Sequence, residues 1–185
     1  MTKILFFLTL FLVFWSVHEV FSKGVPFPVG EMKNLLRQTK VQKQFLTEKY
    51  TILVIFRTWC SASRLQIPEL IDVQGELENT ITSFDIIYLA LDREYGYLDL
   101  GDAKINFRSI TEYIRSLGIE ESHTYVAELP TLNSLKTLSL LNNFKQEEIT
   151  PTLVFINKTR EVVKIVKGLH KESTIKLILT EITKQ

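Results

Sequence analysis

Two stretches of this chain are apolar at almost every position, and the other elements are arranged around them. Ile52-Leu53-Val54-Ile55-Phe56 and Phe84 to Leu91 (FDIIYLAL) lack polar alternation, as expected of strands covered on both faces. Leu65 to Glu78 lies between them and continues as a helix with Pro68 inside it. A right-handed helical crossover of this kind makes the two strands parallel neighbours. Towards the end, Thr152 to Ile156 and Glu161 to Val166 read as two strands joined by the polar turn Asn157-Lys158-Thr159-Arg160, a hairpin. His170 to Lys184 then predicts a closing amphipathic helix with Ile175, Ile178, Leu179 and Ile182 inward.

The remaining segments carry weaker patterns. Gly24 to Gly30 is a Pro- and Gly-punctuated lead-in, and Glu31 to Lys49 predicts a helix, with Met32, Leu35, Leu36, Val41, Phe45 and Leu46 at three- and four-residue spacings. Phe107 to Leu117 predicts a helix with Ile110, Tyr113, Ile114 and Leu117 on one face and Gly118 ending it. Thr124-Tyr125-Val126-Ala127 predicts a short strand, and Asn133 to Phe144 a further helix carrying Leu135, Leu138, Leu141 and Phe144. The alternation of strands and helices defines an α/β domain.

The N-terminus adds a location. In Met1 to Lys23, Lys3 supplies a positive start and Ile4 to Val17 an apolar run, shorter than the roughly 20 residues a spanning helix needs. This reads as an export signal over residues 1–22, cut after Ser22, with residues 23–185 as the exported domain. The alternative is an uncleaved anchor, which would tether the domain to a membrane. Either arrangement places it in a periplasm, a secretory lumen or the medium. With 22 Lys and Arg against 21 Asp and Glu in 185 residues, and no basic cluster, nothing in the charge pattern recommends nucleic acid as a partner. The three histidines are scattered and there is one cysteine, so no metal site is expected.

That cysteine is the candidate chemistry. In Thr51 to Pro68 (TILVIFRTWCSASRLQIP) a buried strand delivers Cys60 to a helix start. Backbone N–H groups and the positive end of the helix dipole there favour a thiolate. Exported domains use paired cysteines as staples, but an intramolecular disulfide is impossible here. The thiol is either buried and inert or held for chemistry, and its position favours chemistry.

Trp59-Cys60-Ser61-Ala62-Ser63, with Pro68 eight residues beyond the cysteine, resembles the Trp-Cys-x-x-Cys active site and helix proline of the thioredoxin superfamily. Ile149 to Phe155 resembles that family's cis-proline loop and following strand, and Asn157 to Gly168 its closing hairpin. The acidic end of the second apolar strand, Asp92-Arg93-Glu94, is similar to the exported TlpA and ResA branch, whose members also insert a helix and a short strand before the proline loop. The resemblance implies a thioredoxin-like fold, a central mixed sheet flanked by helices, with a helical insertion over about 95–148. It implies Cys60 as nucleophile with Ser63 as its hydrogen-bonding neighbour, and a substrate groove shaped by Trp59, Thr150 and Pro151, the last after a cis bond.

This chain departs from the family at three positions. Ser63 replaces the second cysteine, giving a Cys-x-x-Ser monothiol site; Val54 stands where thioredoxin buries an acid; and Gln66 stands where ResA-like proteins have a glutamate. Activation therefore falls to the helix N-terminus unless Glu69, Asp92 or another acid reaches the thiol. A serine cannot resolve a mixed disulfide, so an external thiol must. The expected partners are protein or small-molecule thiols and disulfides, with no cofactor beyond glutathione or another external thiol as co-reactant. The chain is competent for mixed disulfides, isomerisation or glutathione-coupled exchange. The other open reading is a catalytically silent thioredoxin-fold binding module. Peroxide reduction is disfavoured because Arg57-Thr58-Trp59 does not reproduce a Pro-rich peroxidatic loop. Asn157-Lys158-Thr159 also fits an N-glycosylation acceptor or a chance match.

Overall fold

The computed structural model describes residues 25–27, 32–34, 49–77, 84–92, 107–120, 123–127 and 151–184. Among them the strands are β1 (Val25–Pro26), β2 (Met32–Asn34), β3 (Tyr50–Phe56), β4 (Phe84–Ala90), β5 (Thr124–Ala127), β6 (Thr152–Ile156) and β7 (Glu161–Lys167). The helices are α1 (Ser61–Leu77), α2 (Phe107–Ser116) and α3 (Glu172–Thr183). The strands form one mixed sheet in the order β1-β7-β6-β3-β4-β5-β2.

β3 is central because its sequence suits no other place. Thr51 to Phe56 are all buried, and β3 pairs in parallel with β4 and antiparallel with β6. Ile52, Val54 and Phe56 join one core cluster with Ile67, Leu70 and Val73 of α1, Ile110 and Ile114 of α2, and the four inward residues of α3. The opposite-face residues Leu53 and Ile55 are buried too, so the unbroken apolar run marks a strand covered on both faces. Each such side chain contributes about 1.5–3 kcal/mol by leaving water, which anchors the sheet at the strand that carries the cysteine.

The predicted strands and hairpin are found within two residues of their expected ends. Gly118 follows α2 with φ +71°, the left-handed conformation that lets a helix end without Cβ strain. One expectation is corrected. Met32 to Asn34 are not helical; they form β2, antiparallel to β5 in the register Met32↔Ala127, Lys33↔Val126 and Asn34↔Tyr125. Pairing to an otherwise open sheet edge outweighs a local helical spacing worth only tenths of a kcal/mol per residue. The lead-in likewise contains a strand, β1, at the opposite edge, where Pro26 is tolerated. Lys49, at the predicted end of the same helix, is a bend, and the leader, residues 31 and 35–48, the Asn133–Phe144 helix and Thr150 lie outside the described residues. No described helix is long and apolar enough to cross a membrane.

The β6–β7 turn shows why asparagine stands at 157. Its Oδ1 accepts from Thr159 N–H (3.0 Å), Thr159 Oγ1 (2.7 Å) and Glu161 N–H (2.9 Å). Its Nδ2 donates to Glu161 Oε2 at 3.0 Å, so the nitrogen that would carry a glycan is part of the turn. The bonds from Asn157 and Thr159 hold the Glu161 carboxyl below its ordinary value. Asn157→Ala is expected to destabilise the fold by about 1–2 kcal/mol, read as a lower urea midpoint with unchanged slope. An unchanged midpoint would mean that water replaces the network at no cost.

Candidate functional site

Three segments converge at the C-terminal end of β3. The first is the strand's own continuation, Arg57 to Cys60. The second is Pro151: the last β3–β6 pair is Ile55↔Thr152, so the register brings Pro151 to this same end. The third is Gly168 to His170, held by Gly168 N–H donating to Pro151 O at 2.8 Å. Gly168 adopts φ +95°, which an L side chain would resist. Parallel pairing with β4 extends past the strand ends through Leu91 N–H to Phe56 O at 3.0 Å, and this sets Asp92 beside Thr58.

Cys60 occupies the N-cap position of α1. Its carbonyl accepts the first helical bond, from Arg64 N–H at 3.0 Å, and its own N–H donates to Arg57 O at 3.2 Å. The first turn of α1 contains no acidic residue, so no carboxylate there competes for the positive helix end. Cys60 is half-buried. Trp59 beside it is 45% exposed. Ser63, one turn along, is fully buried, and its hydroxyl makes no hydrogen bond, which corrects the expectation of a hydrogen-bonding neighbour for Cys60: the hydroxyl is packed away from any acceptor. Pro151 is buried at the strand junction.

Asp92 underlies this turn. Both of its carboxylate oxygens accept from Thr58 N–H at 3.1 Å, and Oδ1 also accepts from Thr58 Oγ1 at 2.5 Å. Thr58 Oγ1 lies 3.0 Å from Ser109 Oγ of α2. With the single Thr58 hydroxyl proton directed at Asp92 Oδ1, Ser109 is the donor of that second bond. The Thr58 carbonyl accepts from Arg64 Nε at 2.6 Å. Every polar backbone and side-chain atom of Thr58 is thus engaged, and the residue two before the thiol is locked to β4, α1 and α2. Burial pushes the Asp92 carboxyl above its ordinary value, opposed by the Thr58 hydrogen bonds and the charge of Arg57.

Arg57 is only 2% exposed, and its guanidinium stacks over the Trp59 ring at 5.0 Å. Burial lowers its pKa, while Asp92 and Cys60 act in the opposite direction. Arg64 places its guanidinium 5.6 Å from the centre of the Tyr113 ring. Burial raises the pKa of the Tyr113 phenol, which stays protonated at neutral pH. On the other side of α1, Gln66 is fully buried and exchanges two bonds with one backbone unit: Nε2 donates to His170 O at 3.0 Å and Oε1 accepts from His170 N–H at 2.6 Å.

Of the residues singled out in the sequence, Trp59, Cys60, Ser63 and Pro151 are brought to one end of the sheet, and Thr150 lies outside the described residues, as does its bond to Pro151. Of the acids considered, Asp92 reaches the turn; Glu69 sits farther along α1 with one buried, unpartnered oxygen. Gln66 serves as a backbone clamp. Sequence reasoning passed over Arg57, Thr58, Arg64, Ser109 and Tyr113. A charged residue directly after an unbroken apolar strand was the signal available for Arg57. Among the described residues no group of His, Cys, Asp and Glu side chains is arranged to hold a metal.

The arrangement is a thioredoxin-like fold with a cysteine at the head of its central crossover helix. No protein-family model matches the sequence, and no curated protein is significantly similar to it. Solved structures are similar in fold. A thioredoxin-family thiol:disulfide interchange protein from Chlorobium tepidum is 18% identical, with a TM-score of 0.61 over 85% of this chain and 94% of its own. The exposed lipoprotein thioredoxin of Streptococcus pneumoniae is 16% identical, with a TM-score of 0.54 over 82% of this chain and 98% of its own. The thioredoxin domain of a thiol-disulfide oxidoreductase from Bacteroides vulgatus is 12% identical, with a TM-score of 0.56 over 86% of this chain and 98% of its own.

Proposed function

We propose that the protein is an exported, thioredoxin-like thiol–disulfide exchange protein that works through Cys60 alone. The observation that carries this reading is the placement of a half-exposed thiol at the N-cap of α1, beside an exposed tryptophan and at the strand junction that holds Pro151. An inert cysteine of this small, apolar kind would ordinarily be packed in the core. Export is supported by the apolar leader and by structural likeness to an exposed lipoprotein thioredoxin.

The chemistry has two balanced steps. The Cys60 thiolate attacks one sulfur of a disulfide R–S–S–R′, forms Cys60–S–S–R and expels R′–S⁻. An external thiolate R″–S⁻ then attacks the R sulfur, gives R–S–S–R″ and returns the Cys60 thiolate. Ser63 takes no part in electron transfer. Its buried hydroxyl fills the place from which a second thiol would act, so the mixed disulfide persists until a co-reactant arrives. Trp59 and Pro151 flank the thiol and receive the partner, and the resemblance assigns Thr150 to the same groove.

The test is to incubate the intact chain with a small disulfide, quench with acid and weigh the product. One adduct on Cys60, absent in Cys60→Ser and released by added thiol, is the expected result. Failure to form any adduct at a rate above that of the urea-unfolded chain would leave a silent binding module as the better description.

A further inference from the structure

Cys60 and Pro151 reach the same end of the sheet on separate supports. The cysteine is carried by α1, and Pro151 by the β6–β7 ladder, which Gly168 N–H continues by donating to Pro151 O at 2.8 Å. A partner chain that lies against the proline while it reacts with the thiol meets both supports at once, so their spacing matters. Helix bonding alone fixes it poorly, because Pro68 has no N–H to give to the Arg64 carbonyl and the early part of α1 lacks a rung. Arg64 Nε tethers this turn to Thr58 O at 2.6 Å, a bond back to the strand that leads into the helix. Gln66 reaches the other way. Fully buried, it donates from Nε2 to His170 O and accepts at Oε1 from His170 N–H, two residues past Gly168. Two opposed bonds to one residue fix rotation as well as distance, as an antiparallel bridge does. An amide can make both, whereas a carboxylate in its place could accept but not donate.

From this geometry we infer that Gln66 is a positioning residue: it sets the gap between Cys60 and Pro151, and so makes the site favour disulfides carried on an extended polypeptide over small free ones. The inference rests on the exchange reaction proposed above and names its substrate class. A small disulfide needs the sulfur alone, while a polypeptide also needs the proline edge at the right distance from it. The sulfur chemistry is unchanged: the Cys60 thiolate attacks the sulfur on the polypeptide, the new disulfide forms, and the other half leaves as a thiolate.

The experiment compares two uncharged probes on the full chain. One is a capped peptide whose central cysteine is disulfide-bonded to mercaptoethanol, and the other is hydroxyethyl disulfide. Adduct formation is followed by acid quench, and the peptide rate is divided by the small-probe rate, which cancels the ionisation of Cys60. In the parent this ratio should be about tenfold that of the urea-unfolded chain, at every pH. In Gln66→Glu it should be low at about pH 9 and climb towards the parent value by about pH 5, where the protonated carboxyl again donates to His170 O. Gln66→Met, which offers neither bond, should stay low throughout. Gly168→Ala tests the same strap without entering the core: a Cβ there meets no atom within 4 Å, but φ +95° resists it, and the ratio should fall. Each variant is read at a temperature where its urea curve shows it folded. A parent ratio equal to that of the unfolded chain, a Gln66→Glu ratio indifferent to pH, peptide and small-probe rates that fall together, or an unchanged ratio in Gly168→Ala would each overturn the inference while leaving the exchange reaction standing. No adduct with either probe overturns the exchange reaction itself.

Discussion

Ser63→Cys is expected to shorten the life of a Cys60 mixed disulfide by on the order of a hundredfold or more, because it replaces a bimolecular release with an intramolecular one. Position 63 is three residues from Cys60 in the first turn of α1, the spacing at which helix neighbours lie on one face. The Ser63 hydroxyl is fully buried and makes no hydrogen bond, so a thiol of similar shape displaces no partner. In the variant, the introduced thiolate would attack Cys60 Sγ, form the 60–63 disulfide and release R–S⁻. Acid-quenched samples taken over time should show the adduct replaced by a chain lighter by two hydrogens. An adduct that survives in the variant as long as in the parent would show that residue 63 cannot reach the sulfur, and the monothiol mechanism would lose its structural basis.

Asp92 carries the second large effect. Thr58 is 4% exposed, so its N–H and hydroxyl cannot turn to water when their acceptor is removed. Asp92→Ala leaves two buried donors unpaired and should cost on the order of 3 kcal/mol in unfolding free energy, with a further loss of Cys60 reactivity as the turn before α1 loosens. The charge adds a pH dependence whose sign is unusual for an acid. Because burial raises the Asp92 pKa above its ordinary 3.8, the folded chain holds this proton more tightly than the unfolded one. The associated stability is therefore fully present below that ordinary value and is lost as pH rises through the folded-state pKa. Asp92→Asn cannot ionise and lacks this slope. The stability of the parent minus that of Asp92→Asn, measured by urea unfolding across the acid range, should fall as pH rises. A difference that rises would mean that the Thr58 bonds and Arg57 outweigh desolvation.

Most of the sheet was legible because its signals are local. Ile52 to Phe56 and Phe84 to Leu91 can only be satisfied by burial on two faces, and the spacing of Ile175, Ile178, Leu179 and Ile182 can only be satisfied by a helix laid on a core. Met32 to Asn34 mislead because the spacing of Met32, Leu35 and Leu36 suits a helix, while their partner Tyr125 to Ala127 is almost a hundred residues away and contributes no local signal. The thiol and its helix were visible in Trp59 to Pro68. What lies beneath them was not: a threonine, a serine, two arginines and a tyrosine take on roles at the site only when β4 and α2 bring Asp92, Ser109 and Tyr113 against Arg57, Thr58 and Arg64. No spacing rule reports a charge that is buried by tertiary contact.

The reciprocal grip of Gln66 on His170 spans 104 residues. During vectorial synthesis Cys60 and Gln66 emerge long before His170, so the helix headed by the cysteine goes without this clamp until nearly the whole chain has been made. A stop codon ahead of His170 would therefore leave Gln66, six residues after the cysteine, buried with nothing to grip.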